Sequence, residues 1–312
     1  MISSIFGKTK PINYIIVFTF LFVLYWLVHY FIFKNAFSVE FIGVNILVLA
    51  ALLFSIFIVD FIVKRNKLTD VNSFSMLFYA LLIVVFIESL QDVNAILCSL
   101  FLLLATRRLI SIRSLKDIKL KIFDATFWII VSSLFYEWAI LYLILVFTAI
   151  YIYEPKNIRN WLVPLTGIFV VFMISYAVSL LLGNPNYLFE HYNFSIQLNT
   201  AYFLEWSSSS KRIVYLVLTL CAIVLSLLKL GSLGVGKVVT MRLLAFSFII
   251  GILIDLFTDS VHSHPIIITF FPSVVFMTNY IERIKKANIK EVILILSIFI
   301  PFMVLMTRIT LQ

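Results

Sequence analysis

The stretch Asp255-Leu-Phe-Thr-Asp259-Ser-Val-His262-Ser-His264-Pro265 is the densest group of chemically capable side chains in the sequence. Asp255 and Asp259 stand four apart, so on a helix they share one face. His262 and His264 follow two apart. Carboxylates and imidazoles together can hold a divalent metal ion or move protons as general acid and base. The spacing corresponds to no established metal motif, so no metal ligand is assigned. A short polar turn between two apolar helices would supply the same residue types. Pro265 suits the first turn of the helix that follows, where no N–H is needed.

Three carboxylates stand out because of what surrounds them. Glu88 follows LLIVVFI, Glu137 sits within SSLFYEWAIL, and Asp255 sits within IIGILIDLF. A carboxylate at membrane depth is costly, and usually faces a bundle interior or a wet cavity where it has a function. The plainer account is that each caps an apolar span at its polar end. Glu40, the sole acid of the short segment 34–40, joins Glu137, Asp255, Asp259 and His262 as a candidate catalytic group. Glu88, His191 and His264 are candidate substrate-binding groups.

Other patterns carry no chemistry. Gly231-Ser-Leu-Gly-Val-Gly236-Lys237 resembles a phosphate loop, but Val238 stands where the hydroxyl residue is needed, and no strand precedes it. The region reads as a flexible connection. Cys98 and Cys221 both fall inside apolar runs, which fits small buried residues better than a disulfide.

The elements that must position these residues follow from composition. The chain has 312 residues, 63% hydrophobic and 12% charged. A soluble domain carries about 25% charged residues, so a chain this apolar belongs in a lipid bilayer. Apolar runs fall at about 13–33, 41–63, 74–89, 93–106, 122–136, 138–153, 162–182, 212–230, 243–257, 265–281 and 291–307. Six of them have about 17–25 residues, the length that crosses a hydrocarbon core, while 93–106, 122–136 and 138–153 are short. The expected fold is all-α: a polytopic transmembrane helix bundle of about eleven spans, forming one integral membrane domain over 1–312 with no soluble domain. The first run has no small-residue cleavage site and reads as a retained helix. The stretches 74–106 and 122–153 each carry an acid near the middle. They read as short paired helices, whose tips must be buried in protein or line a wet cavity.

Charge gives the orientation. Eleven spans place twenty Lys and Arg residues in one set of loops and four in the other: Lys34, Lys211, Arg212 and Arg308. By the positive-inside rule the N-terminus is cytoplasmic and the C-terminus lies outside. This also explains the net charge of +9 without nucleic acid. The segment 107–121, RRLISIRSLKDIKLK, reads as a basic amphipathic helix on the anionic cytoplasmic leaflet or as a simple topology-setting cluster. The outer segment 183–211 is rich in aromatic rings, which suit the membrane interface. All four histidines, and eight of the fifteen acids, fall on the outer side.

The opening Ser4-Ile-Phe-Gly-Lys-Thr-Lys-Pro-Ile-Asn13 resembles the start of an uncharacterised multi-pass membrane family of Bacteroidota-type bacteria. So do Phe123-Asp-Ala-Thr-Phe-Trp-Ile-Ile-Val-Ser-Ser-Leu-Phe135 and Asn160-Trp-Leu-Val-Pro-Leu-Thr-Gly167. The resemblance implies a bacterial inner membrane and supplies no reaction. A looser architectural likeness is to C-class glycosyltransferases, which use polyprenyl-phosphate sugars. It implies a catalytic acid in the first outer loop, where this chain has only Glu40 and departs from the family's longer loop.

Three function classes follow. The first is an outward-facing enzyme in envelope biogenesis acting on a lipid-linked substrate, with a carboxylate as base or a divalent metal on a diphosphate. The second is a non-catalytic subunit of a secretion, motility or envelope assembly, with other inner-membrane subunits as partners. The third is a transporter, disfavoured by few Gly and Pro residues and an odd number of spans.

Overall fold

The computed structural model describes residues 2–34, 38–194, 206–228, 234–258 and 265–310, and in these every regular element is helical. A short α1, Ile2–Phe6, precedes α2, Pro11–Leu27, which runs on through a wide turn at Val28–Ile32. Then come α3 (Val39–Arg65), α4 (Phe74–Val85), α5 (Val93–Ser111), α6 (Ile118–Ser133), α7 (Leu143–Tyr153), α8 (Ile158–Leu181) and the short α9 (Tyr187–His191). The last four are α10 (Trp206–Leu228), α11 (Val235–Phe257), α12 (Phe270–Glu282) and α13 (Ala287–Thr310). Among the described residues, eight helices are long and apolar enough to cross a membrane.

Each apolar run of the sequence carries a helix, and local chemistry sets several of the ends. Pro11 opens α2 at a position that needs no N–H. Ser38 caps α3 by accepting from the Phe41 N–H at 3.1 Å, and Asp92 caps α5 by accepting from the Ala95 N–H at 2.9 Å. The stretch 74–106 breaks at a tight turn, Ile87–Leu90, and 122–153 breaks before the tight turn Glu137–Tyr142.

Two expectations are corrected. The run at 93–106 is not a short helix: α5 continues through Arg107 and Arg108 to Ser111. The segment 107–121 forms no separate surface helix, because α5 takes its first part and α6 its last. The reversal between them uses left-handed backbone at Leu115 and Asp117. Ion pairing explains why the charges stay on these helices: Arg108 Nε lies 3.0 Å from Asp124 Oδ2 across the α5–α6 contact.

The helices alternate in direction and leave two chemically distinct ends. At one, the loops carry most of the cations, and polar side chains tie the chain together. The Asn13 amide donates to the Ile5 and Lys8 carbonyls and to Ser73 Oγ. Glu282 accepts from the Asp70 N–H at 3.0 Å and from the Asn72 amide. Glu291 accepts from the Ile2 and Ser3 N–H groups, which ties α13 to α1. At the other end lie Glu88, Glu137, Asp255 and His191.

Burial orders the bundle. Every residue of α4 from Phe74 to Val84 is buried, the pattern of a helix surrounded by protein on all sides. The span Pro265–Glu282 is 83% buried, whereas Ala287–Thr307 is 11% buried. The short α4 and α12 are therefore central, and α13 is peripheral, resting on α4 and α1.

Candidate functional site

The first turns of α10 organise the acidic end. Lys211 and Arg212 are neighbours there, and each meets a carboxylate from a different part of the chain. Lys211 Nζ lies 2.9 Å from Glu88 Oε1, in the turn after α4. Arg212 Nη1 lies 2.9 Å from Asp255 Oδ2, at the end of α11. The first pair is about one-fifth exposed; the second is nearly buried, at 12% and 11%. Asp255 Oδ1 is buried and meets no hydrogen-bond donor among the described residues.

One turn deeper on α10, the Tyr215 hydroxyl shares hydrogen bonds with Thr269 Oγ1 at 2.7 Å and Ser273 Oγ at 2.5 Å. Its ring packs on Phe86 and Phe270. This contact fixes the rotation of α10 against α12, and so sets which way Lys211 and Arg212 face.

A second polar group lies beside the first. His191 Nε2 is 2.8 Å from the Ser133 carbonyl oxygen, and the Tyr192 hydroxyl is 2.8 Å from Ser133 Oγ. Burial pushes the Tyr192 hydroxyl above its usual range, so it stays protonated. Tyr136 donates to Asp92. The two groups join through aromatic rings: Trp138 packs on Phe257 with ring centres 4.8 Å apart, so Glu137 and Asp255 flank a common aromatic contact.

The structure thus places Glu88, Glu137, Asp255 and His191 at one end, and joins Glu88 to Asp255 through consecutive residues of one helix. Glu40 begins α3 beside α2, where Phe41 meets the His29 ring; its side chain, like Asp259, His262 and His264, lies outside the described residues. Among the described residues no three His, Cys, Asp or Glu side chains come together to hold a metal. Lys211, Arg212 and Tyr215 were not singled out by sequence reasoning. The one signal for the first two is that they form the only adjacent basic pair in the set of loops that holds four Lys and Arg residues.

Lys211 also lines the mouth of a large groove. About 600 Å³ in volume, the groove lies between α4, α10, α12 and α13 and opens sideways from the bundle. Its walls include Phe78, Leu82, Leu218, Met277, Ile300 and Pro301. Ser210, Lys211 and Tyr215 supply polar atoms where it reaches the acidic end.

No protein-family model matches the chain, and neither does any curated protein or solved structure.

Proposed function

We propose that this polytopic membrane protein works in a bacterial inner membrane, with about eleven spans and a cytoplasmic N-terminus. Its acidic end faces outward, and there it acts on a lipid-linked substrate. The twenty-to-four division of Lys and Arg supports the orientation.

The observation that carries the functional reading is the meeting of two features at Lys211. An apolar groove ends at Lys211, which holds Glu88, and the next residue, Arg212, holds Asp255. A lipid chain lying in the groove brings its headgroup to Glu88, Lys211, Arg212 and Asp255. There the cations orient an anionic group, and a carboxylate accepts the proton of an attacking hydroxyl. Asp255 Oδ1, which meets no donor among the described residues, keeps its lone pairs for that proton. Transfer of a group from a lipid carrier in envelope biogenesis is the reaction class that fits.

The test is complementation of a deletion strain with Asp255→Asn and Glu88→Gln, reading lipid-linked intermediates by mass spectrometry. Asp255→Asn is expected to leave an intermediate accumulated, with the protein level measured beside it because Arg212 loses its partner. Full complementation by both variants sinks the reading.

One observation favours a second reading, a non-catalytic subunit of a membrane assembly. Both carboxylates already have a cation within 3 Å, as a structural network requires. On that reading both variants complement whenever they fold, and the protein purifies with a constant partner.

A further inference from the structure

We infer that the centre of the bundle holds one internal water molecule, bound by the Tyr79 hydroxyl and by hydroxyl oxygens of α5 and of the turn before α7. The inference is independent of the lipid-linked reading and concerns a different part of the molecule.

Size is the first argument. The site is a cavity of about 10 Å³, measured as the space open to the centre of a water-sized sphere. A buried water needs roughly 10–15 Å³ and two to four polar partners. The cavity therefore takes one water and is too small for a lipid chain. It lies where six elements meet: α4, α5, the turns Glu137–Tyr142 and Pro265–Thr269, α11 and α12.

Hydrogen bonding says what fills it. Tyr79 lines the cavity and is 1% exposed, and its ring packs on Phe270 with ring centres 5.8 Å apart. Its hydroxyl has no hydrogen bond of normal geometry among the described residues, although Ser99 comes near it. The other hydroxyls of the wall have already given their protons away. Ser99 donates to the Ile96 carbonyl at 3.2 Å, Thr106 to the Leu102 carbonyl at 2.7 Å, and Tyr142 to the Ser247 carbonyl at 3.3 Å. Each of those oxygens can still accept. The wall thus offers one donor and three acceptors. A water matches that set: it accepts the Tyr79 proton and donates its own two to hydroxyl oxygens across the cavity.

The same set argues against other occupants. Among the described residues no charged side chain lines the cavity, so an ion there would be buried without compensation. An apolar filling would leave the Tyr79 proton without an acceptor, which is also unfavourable.

The backbone adds a reason for water at this point. Pro272 lines the cavity together with Ile268. Proline has no N–H to give to the carbonyl four residues earlier, so α12 opens with one helical hydrogen bond missing. Thr269 and Ser273, the residues that follow Ile268 and Pro272, are the pair that hold the Tyr215 hydroxyl. The water steadies the segment on which the rotation of α10 depends.

Two measurements test this. The first is a crystal structure of the full-length protein grown from a lipidic mesophase, at a resolution that shows ordered water. One water peak is expected about 2.5–3.0 Å from Tyr79 Oη and from at least one of the Ser99, Thr106 and Tyr142 hydroxyls. An empty cavity, in a map that shows other buried waters, overturns the proposal. So does a peak with six or more oxygen neighbours at about 2.3–2.6 Å, which is the coordination of a metal cation.

The second is thermal unfolding of Tyr79→Phe in detergent, a variant that keeps the ring and removes only the hydroxyl. With water bound, the variant takes away one of its partners, and the melting temperature is expected to fall. With no partner for the hydroxyl, the variant removes an unpaired buried group, and the melting temperature rises or stays unchanged. Either of those last two results overturns the proposal. If Tyr79→Phe does not fold, the map of the native protein decides.

Discussion

At the scale of single residues, the acidic end is held by charges that sequence order keeps far apart. Glu88 and Lys211 are 123 positions apart, and Arg212 and Asp255 are 43 apart. Removing one member of a nearly buried pair leaves the other charge without compensation, which costs about 3 kcal/mol or more. Arg212→Met is therefore expected to lower the unfolding temperature in detergent markedly. The double variant Arg212→Met/Asp255→Leu should recover most of the loss, because an apolar pair can replace a buried ion pair with little penalty. A double variant as unstable as the single one would show that Asp255 has some other essential contact. The cationic end has a counterpart. Asp60 is 2% exposed and is held by Lys64 at 2.6 Å and by the Tyr14 hydroxyl. Tyr14→Phe removes that donor from a buried carboxylate and should cost about 1–3 kcal/mol in the same measurement.

At the scale of elements, close approach between helices depends on small residues, as expected where lipid gives no hydrophobic drive for association. Gly167 on α8 faces Thr126 on α6, and a Cβ built there would stand 3.0 Å from the threonine side chain. Gly251 on α11 similarly abuts Thr269, at 2.9 Å. Gly167→Leu is thus expected to push α8 off α6 and destabilise the protein by about 1–3 kcal/mol. An unchanged melting temperature would mean that α8 shifts freely in the bilayer. The tie between α1 and α13 is a second element-scale feature. Glu291→Ala removes the acceptor for the Ile2 and Ser3 N–H groups. Hydrogen exchange of α1 should rise in this variant while that of the fully buried α4 stays slow.

At the scale of the whole molecule, the prediction is topological. Single cysteines introduced near Lys116 and near Asn184 should differ in reaction with a membrane-impermeant thiol reagent added to intact cells. The position near Asn184 should label and the one near Lys116 should not, because the proposed orientation keeps the loops rich in Lys and Arg in the cytoplasm. Labelling of both, or the reverse, would overturn the orientation. The same reagent applied to a cysteine near Glu137 tests whether the tight turn Glu137–Tyr142 reaches water on the outer side.

Sequence alone determined the membrane class, the helical content and the position of the apolar runs, because these follow from local composition and from the length a bilayer imposes. It also marked the breaks near Glu88 and Glu137, since an ionisable group inside an apolar run interrupts it wherever the chain folds. Helix ends were less legible. α5 outruns its apolar stretch because Asp124 of the next helix pairs with Arg108, a partner no single-segment reading contains. The reading of Glu88 and Asp255 as acids in apolar surroundings was incomplete for the same reason. Glu88 and Asp255 have no basic neighbour along the chain, yet the fold delivers Lys211 and Arg212 to them. Only the tertiary structure joined those two acids at one helix terminus, and only it placed a groove beside them. Pairing and cavities arise from how helices distant in sequence pack together, and the periodicity of one helix carries no record of its neighbours.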